Sequence, residues 1–224
     1  MTAKHVAVFL AVQNGSYDSK NRHLHVSFQP GTDISLNAAG TDNTTTDKYD
    51  VAAISDIGAE WIFELLEEVE SDTLSLRGIT VETLRGMILN GMQKYARSLN
   101  TVWTDLQELK EAGAKVIHYY GEADNSIPTL SSVIYHQQVR LVMYGNLSHE
   151  ESLKQLTKFY RLYVLPGVAH CSPSAENGLF PQTVLGSVIE WVEDNVVPVQ
   201  LDATVLQGPN EGTEEKICAL SPSV

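Results

Sequence analysis

Two short β-rich runs, separated by a long stretch of helical pattern, constrain the fold of this 224-residue chain more than any other feature. The first run, VIHYY, covers residues 116–120, and the second, FYRLYVL, covers residues 159–165. Apolar spacing between them predicts helices over about 129–144 and 150–158, and a further helix opens at Phe180-Pro181. The order strand, helix, strand, helix is typical of a parallel βαβα unit. We therefore expect an α/β fold with a parallel sheet and flanking helices.

The chain before this unit divides into two segments of different pattern. Residues 1–55 contain turn-forming residues and show little apolar periodicity, and we assign no domain to them. Within them the apolar run 6–12 predicts a buried β-strand, the alternative being the hydrophobic core of a secretory signal peptide. Residues 56–110 are helical in pattern, with Thr80 as the N-cap of one helix. Residues 111–224 then form the predicted α/β part.

Apolar spacing also predicts which helix faces are buried. The helix after Thr80 carries its apolar stripe at Leu84, Met87, Ile88, Met92 and Tyr95. The helix after Pro181 is expected to face inward through Leu185, Val188, Ile189 and Val192, with Trp191 beside them. Beyond Pro198 the periodicity is lost, and residues 208–212 indicate an exposed loop.

The charge balance excludes several classes of partner. Fifteen Lys and Arg stand against 28 Asp and Glu, which gives a formal net charge of −13. So acidic a chain does not suit a nucleic-acid backbone or an anionic membrane surface. No apolar run reaches the ~20 residues that a membrane-spanning helix needs. We therefore expect no nucleic-acid and no membrane partner, and a small neutral or weakly charged ligand instead.

Two side chains that could exchange or accept protons follow the two predicted strands. Asp124 comes after the first and His170 after the second. Ligands of open parallel sheets gather beyond the carboxyl ends of the strands. An Asp that accepts the imidazole N–H fixes the tautomer of a His and stabilises its cation, and the order Asp then His is that of the second half of an α/β-hydrolase triad. A turn-forming Asp and a solvated His are the alternatives that the residues leave open.

The nucleophile of such a triad is missing from the chain. No G-x-S-x-G pattern occurs, and Ser172 is too close in sequence to His170 to take that role. The serines at 126, 131 and 132 follow the Asp, contrary to the hydrolase order. A serine hydrolase would have its acid and base here, but not its serine.

Histidines, cysteines and sequons supply the remaining candidate sites. His23 and His25 share one face of a predicted strand as a possible metal pair, but no third ligand is identifiable and a solvated face is favoured. Cys171 and Cys218 are too few for a disulfide framework or a zinc cage; they could pair with each other, stay free or bond another chain. Three N-x-S/T sequons permit glycosylation at Asn14, Asn43 and Asn146.

Four ordered blocks between about Leu74 and Ala219 resemble the C-terminal part of the tannase/feruloyl esterase family, most nearly the tannases. They are AGAKVIHYYGEADNSIP (112–128), FYRLYVLPGVAHC (159–171), GLFPQT (178–183) and VLQG (205–208). The resemblance implies the C-terminal part of an α/β-hydrolase fold whose nucleophile-bearing half is absent from the chain. It also implies that the helical segment 56–110 is derived from the family's lid.

The resemblance further implies a role for each candidate residue. Asp124 matches the triad acid and His170 the general base. Cys171 matches half of a disulfide to the cysteine beside the serine, and Cys218 matches a cysteine whose partner lies further downstream. No cofactor is expected in this chain, since the family's calcium-binding lid loop has no counterpart here.

The function implied is hydrolysis of gallate or related aromatic acid esters by a secreted serine carboxylic ester hydrolase. Its partners would be the small aromatic ester and a serine-bearing N-terminal chain of the same enzyme. The isolated chain would be inactive for lack of the nucleophile. The alternative is a non-catalytic, truncated remnant or binding fragment of the family.

Overall fold

The computed structural model describes residues 3–33, 41–43, 48–50, 61–69, 79–170, 172–173 and 178–220. The chain forms two compact units. The first comprises Met1–Val26 and Asp33–Val102, and the second comprises Ser27–Thr32 and Trp103–Val224. The predicted division into 1–55, 56–110 and 111–224 stays a prediction.

The described elements of the first unit are short strands and three helices. Two antiparallel pairs form, β1 with β2 and β3 with β4. The elements are α1 (Ala3–Asn14), β1 (Ser16–Tyr17), β2 (His23–His25), β3 (Thr41–Asn43), β4 (Lys48–Asp50), the π-helix α2 (Trp61–Glu67) and α3 (Val81–Lys94).

The strand predicted over residues 6–12 is wrong, because this run lies within helix α1. An apolar run of this length suits a buried strand and a buried helix equally, so periodicity could not separate them. Phe9 and Leu10 are exposed on α1, which no buried strand would allow. The helix ends at Asn14, and Gly15 follows with a φ of 78°, a left-handed conformation typical of helix ends.

Helix α3 begins where its cap was predicted. The Thr80 hydroxyl accepts a hydrogen bond from the Thr83 amide at 3.2 Å, as an N-cap does. The apolar side of α3 packs against α2 through a cluster whose members are Trp61, Ile62, Phe63, Leu66, Leu84, Met87 and Tyr95. Met92 was predicted to share this face, but it is 47% exposed. Leu84, Met87 and Tyr95 of the predicted stripe therefore hold the two helices together.

The second unit carries the parallel strands and most of the buried core. Its elements are α4 (Gln107–Glu111), β5 (Val116–Gly121), α5 (Leu130–Tyr144), α6 (His149–Leu156), β6 (Tyr160–Leu165), β7 (Leu179–Pro181), α7 (Val184–Glu193), β8 (Gln200–Val205) and β9 (Glu214–Cys218).

Strands β5 and β6 are parallel, which confirms the predicted βαβ unit. Their register runs from Val116 opposite Tyr160 to Gly121 opposite Leu165. Alternate side chains of β6 enter two different clusters: Tyr160 packs with α5 and α6, and Tyr163 packs with β8 and β9. The pair is therefore covered on both faces, as parallel strands require.

The prediction of lost periodicity beyond Pro198 is wrong, because β8 and β9 form a hairpin there. With β7 they make a three-stranded antiparallel sheet in the order β7-β8-β9. Alternate residues of β8 are buried, namely Leu201, Ala203 and Val205. The sequence of residues 201–205, Leu-Asp-Ala-Thr-Val, already alternates apolar and polar side chains, and the sequence prediction overlooked this pattern. The loop predicted at 208–212 is confirmed as the turn of this hairpin.

Helix α7 is buried through Trp191, which was expected beside the inward face, and not through most of the predicted apolar stripe. Trp191 is 1% exposed, whereas Leu185 is 74% exposed and Ile189 and Val192 also face outward. The Trp191 ring lies beneath the side chains of Lys115 and Arg161, each about 5–6 Å from the ring centre. This large aromatic ring sets the orientation of the helix in the second unit.

No helix in the described ranges is long and apolar enough to span a membrane.

Candidate functional site

The register of β5 and β6 brings Asp124 and His170 to one edge of the parallel pair. Asp124 lies in the loop after β5, and His170 lies in the loop after β6. These strands end opposite one another, Gly121 beside Leu165, so the two loops leave the sheet side by side. This is the end of a parallel sheet at which ligands gather.

A direct hydrogen bond joins the two predicted site residues. His170 Nδ1 lies 2.9 Å from Asp124 Oδ2. The Asp124 side chain is 3% exposed, whereas the His170 side chain is 35% exposed. A carboxylate bound to Nδ1–H leaves the lone pair of a neutral imidazole on Nε2. The arrangement can therefore hold a base that accepts a proton through Nε2.

The second oxygen of Asp124 is held by the backbone of its own loop. Oδ1 accepts hydrogen bonds from the amides of Ser126 at 2.8 Å and Ile127 at 2.9 Å. Burial alone would raise the pKa of Asp124, but hydrogen bonds from Ile127, His170, Ser126 and Tyr120 outweigh it, and the pKa lies below its ordinary value. Asp124 is therefore an ionised, oriented carboxylate at neutral pH.

Tyr120 is a part of this site that the sequence interpretation missed. Its hydroxyl donates a hydrogen bond to the Ile127 carbonyl oxygen at 3.3 Å, and its side chain helps to lower the pKa of Asp124. Its position in the sequence could have indicated this role, because Tyr120 lies one residue before the glycine that ends β5.

Backbone hydrogen bonds continue past the ends of the strands and join the two loops. The Glu122 amide donates to the Leu165 carbonyl at 2.9 Å, and the Ala123 amide donates to the Val168 carbonyl at 3.0 Å. The relative position of acid and base is thus set by main-chain contacts as well as by their own hydrogen bond.

The two cysteines are placed differently. Cys218 ends β9 as a free, exposed thiol, with Gln200 Nε2 3.4 Å from its Sγ. Cys171 lies outside the described residues, so its predicted disulfide stays a prediction.

The sequons and the histidine pair lie away from this site in the chain. Asn14 ends α1 and Asn146 follows α5, both with exposed side chains, whereas the Asn43 side chain is not described. His23 and His25 are exposed on β2, where the His23 ring packs on Tyr17 and His25 Nδ1 lies 2.9 Å from the Val26 carbonyl. Among the residues that the structure describes, no group of three His, Cys, Asp or Glu could hold a metal.

Comparison with known proteins identifies similar sequences over nearly the whole chain. The family model for tannase and feruloyl esterase matches residues 1–222. A tannase from Aspergillus oryzae is 37% identical over 97% of this chain. A probable feruloyl esterase from Arthroderma benhamiae is 30% identical over 66% of it.

Solved structures show the same relationship. A tannin acyl hydrolase from Aspergillus niger superposes with a TM-score of 0.89, at 41% identity over 97% of this chain. Feruloyl esterase B from Aspergillus oryzae has a TM-score of 0.70 at 24% identity, which concerns the fold alone. These neighbours confirm a partial α/β-hydrolase-type fold. The chain spans only 37% of the A. oryzae tannase and 39% of the A. niger structure.

Proposed function

Because the chain belongs to the tannase and feruloyl esterase family, we propose that it supplies the acid and the general base of a carboxylic ester hydrolase. The observation that carries this proposal is the 2.9 Å hydrogen bond between His170 and Asp124 beyond two parallel strands. The relatives named tannase and feruloyl esterase support gallate or related aromatic acid esters as substrates.

In the proposed reaction, His170 moves protons and Asp124 keeps it in the correct tautomer. Nε2 of His170 takes the proton of a serine hydroxyl as that oxygen attacks the ester carbonyl, and then gives it to the departing alcohol. Water, activated by the same nitrogen, hydrolyses the acyl-serine ester and releases the aromatic acid. The ionised Asp124 carboxylate stabilises the imidazolium that forms in each step.

The serine in this proposal is supplied from outside the 224 residues, which contain no G-x-S-x-G pattern. Within the described ranges β5 pairs with β6 alone, so its other edge can accept a strand of a serine-bearing partner. A disulfide from Cys171 to that partner would hold base and nucleophile together. We expect the chain alone to have negligible esterase activity.

Secretion and glycosylation belong to the same proposal. Exposed sequon side chains at Asn14 and Asn146 are accessible to a glycan, and Asn43 is a third candidate by sequence. We expect glycosylation at these positions in a secreted protein.

The proposed roles are tested by hydrolysis of methyl gallate after this chain is joined to the serine-bearing part. His170→Ala should abolish turnover, and Asp124→Asn should lower kcat by about 10³–10⁴-fold because the amide favours the wrong tautomer. Asp202→Asn is the matched control, since Asp202 is an exposed aspartate paired with Lys216 in the same unit. Turnover that survives His170→Ala would contradict the assignment.

A second experiment separates this function from a fragment that binds without turnover, which the missing serine pattern favours. The natural protein would be measured by intact mass spectrometry with and without reductant. A larger species that releases this chain on reduction supports the two-part esterase. A lone chain with an unbonded Cys171 supports the non-catalytic fragment.

A further inference from the structure

Two glycines, from different parts of the chain, contact the loop that carries His170. Gly121 ends β5, and Gly178 directly precedes β7. Neither has a positive φ, so the backbone conformation does not require glycine at these positions. Glycine is required because neighbouring backbone atoms leave no room for a Cβ atom.

Gly121 lies against the carbonyl groups just before His170. A Cβ atom at Gly121 would stand 2.7 Å from the Ala169 carbonyl oxygen, and closer still to that of Val168. Both distances are far inside van der Waals contact, and both obstacles are backbone that cannot rotate away. A side chain at Gly121 would displace the loop that carries His170 away from the end of β5.

Gly178 lies against the same loop one residue earlier. A Cβ atom there would stand 2.6 Å from the Gly167 carbonyl oxygen and 3.0 Å from the Val168 Cα. The adjacent Leu179 amide donates to the Pro166 carbonyl at 3.1 Å, which ties β7 to the start of the loop. Residues 167–169 are therefore in close contact with both glycine backbones.

We propose that Gly121 and Gly178 are positioning residues, which hold the His170 loop against the Asp124 loop and thereby maintain the hydrogen bond between base and acid. The inference rests on the proposed function for its catalytic meaning. Its geometry does not depend on that function, because the Asp124–His170 contact forms within this chain.

The test measures the Asp124–His170 hydrogen bond directly, by proton NMR of the Nδ1–H of His170 in this chain. An N–H shared with a carboxylate resonates far downfield, and its loss in Asp124→Asn assigns it. Gly121→Ala and Gly178→Ala should each shift this resonance upfield or lose it by exchange with water. Gly186→Ala is the matched control, because a Cβ on this α7 glycine meets no atom within 4 Å.

If the two glycines only stabilised the fold, the His170 Nδ1–H resonance would be unchanged in alanine variants that fold. An unchanged resonance in both folded alanine variants would overturn the proposal. So would loss of the native circular dichroism spectrum in both, since the glycines would then act on the fold rather than on the pair. If one variant does not fold, the other decides.

Activity of the joined enzyme provides the second readout. Each alanine variant should lower kcat for methyl gallate at least tenfold with KM within twofold, because the displaced base acts in the chemical step. If the wild-type enzyme has no esterase activity while the NMR result is as expected, the proposed function fails and the positioning role stands. If the wild-type enzyme is active but the resonance is unchanged in both variants, the proposed function stands and the positioning role fails.

Discussion

His136 is a buried histidine that the proposed chemistry does not use. It lies on α5 with no exposed surface, and neither ring nitrogen has a hydrogen-bond partner among the described residues. Its ring contacts the Tyr160 ring edge-on, and the Tyr160 hydroxyl lies 2.8 Å from His118 Nδ1. Burial, together with the neighbouring His118 and Arg140, lowers the pKa of His136 to about 4. The folded chain thus keeps this imidazole neutral.

Acid should therefore destabilise the fold through His136. In the unfolded chain the pKa of His136 is about 6.5, so between about pH 6.5 and pH 4 the unfolded chain binds a proton that the folded chain does not bind. Stability is fully present above pH 6.5 and falls by about 3 kcal/mol as the pH drops to about 4. His136→Phe should remove this loss, measured as the free energy of urea unfolding at pH 7 and pH 4.5. The exposed His149→Phe is the control, and a pH dependence unchanged in His136→Phe would contradict the expectation.

Helix α6 shows how one short element is defined by its first residues. The Ser148 hydroxyl accepts from the Glu151 amide at 3.3 Å, and the Glu151 carboxylate accepts from the Ser148 amide at 3.3 Å, which completes a capping box. Its buried residues, which include Leu153 and Leu156, then face the core beneath α5. Ser148 is also the third residue of the Asn146 sequon, so one hydroxyl serves the helix and the proposed glycosylation signal.

Removing that hydroxyl should weaken the helix irrespective of any glycan. In protein made without glycosylation, Ser148→Ala should lower the free energy of unfolding by about 1 kcal/mol, because the Glu151 amide loses its acceptor and the Glu151 carboxylate loses the hydrogen bond from the Ser148 hydroxyl. Ser148→Thr should keep most of the stability. Asn146→Gln, which removes the sequon and leaves the cap, should be neutral. Equal unfolding midpoints for Ser148→Ala and wild type in urea would show that the capping box contributes nothing.

At the scale of the whole molecule, the parallel sheet is incomplete within the described residues. One edge of β5 carries backbone donors and acceptors that no described strand pairs. Tyr119 on this strand is 41% exposed. An exposed, apolar edge strand is a template for pairing with another chain. We therefore expect this edge, which we propose accepts the serine-bearing partner, to promote association of the isolated chain.

We expect the isolated chain to associate as its concentration rises, which sedimentation velocity measures directly. Tyr119→Lys should reduce association, because a charge on an edge strand disfavours pairing with another strand. Leu89→Lys, at an exposed position of α3 in the first unit, is the control for added charge. A monodisperse wild-type monomer that melts cooperatively would contradict the expectation.

Local patterns determined the parts of this protein that depend on neighbouring residues in sequence. The periodicity of apolar residues and the chemistry of helix caps act within a few residues. They predict strands β5 and β6, the helices between them and the Thr80 cap. The pairing of Asp124 with His170 was also predictable, because parallel strands place their following loops at one end of the sheet.

Tertiary structure decided what depends on contacts between distant residues. The buried face of α7 follows from Trp191 packing under Lys115 and Arg161, not from its own apolar stripe. The β8–β9 hairpin and the close approach of Gly121 to the His170 loop likewise join separate segments. Local periodicity carries no information on which segments meet, so these features arise only when the chain has folded.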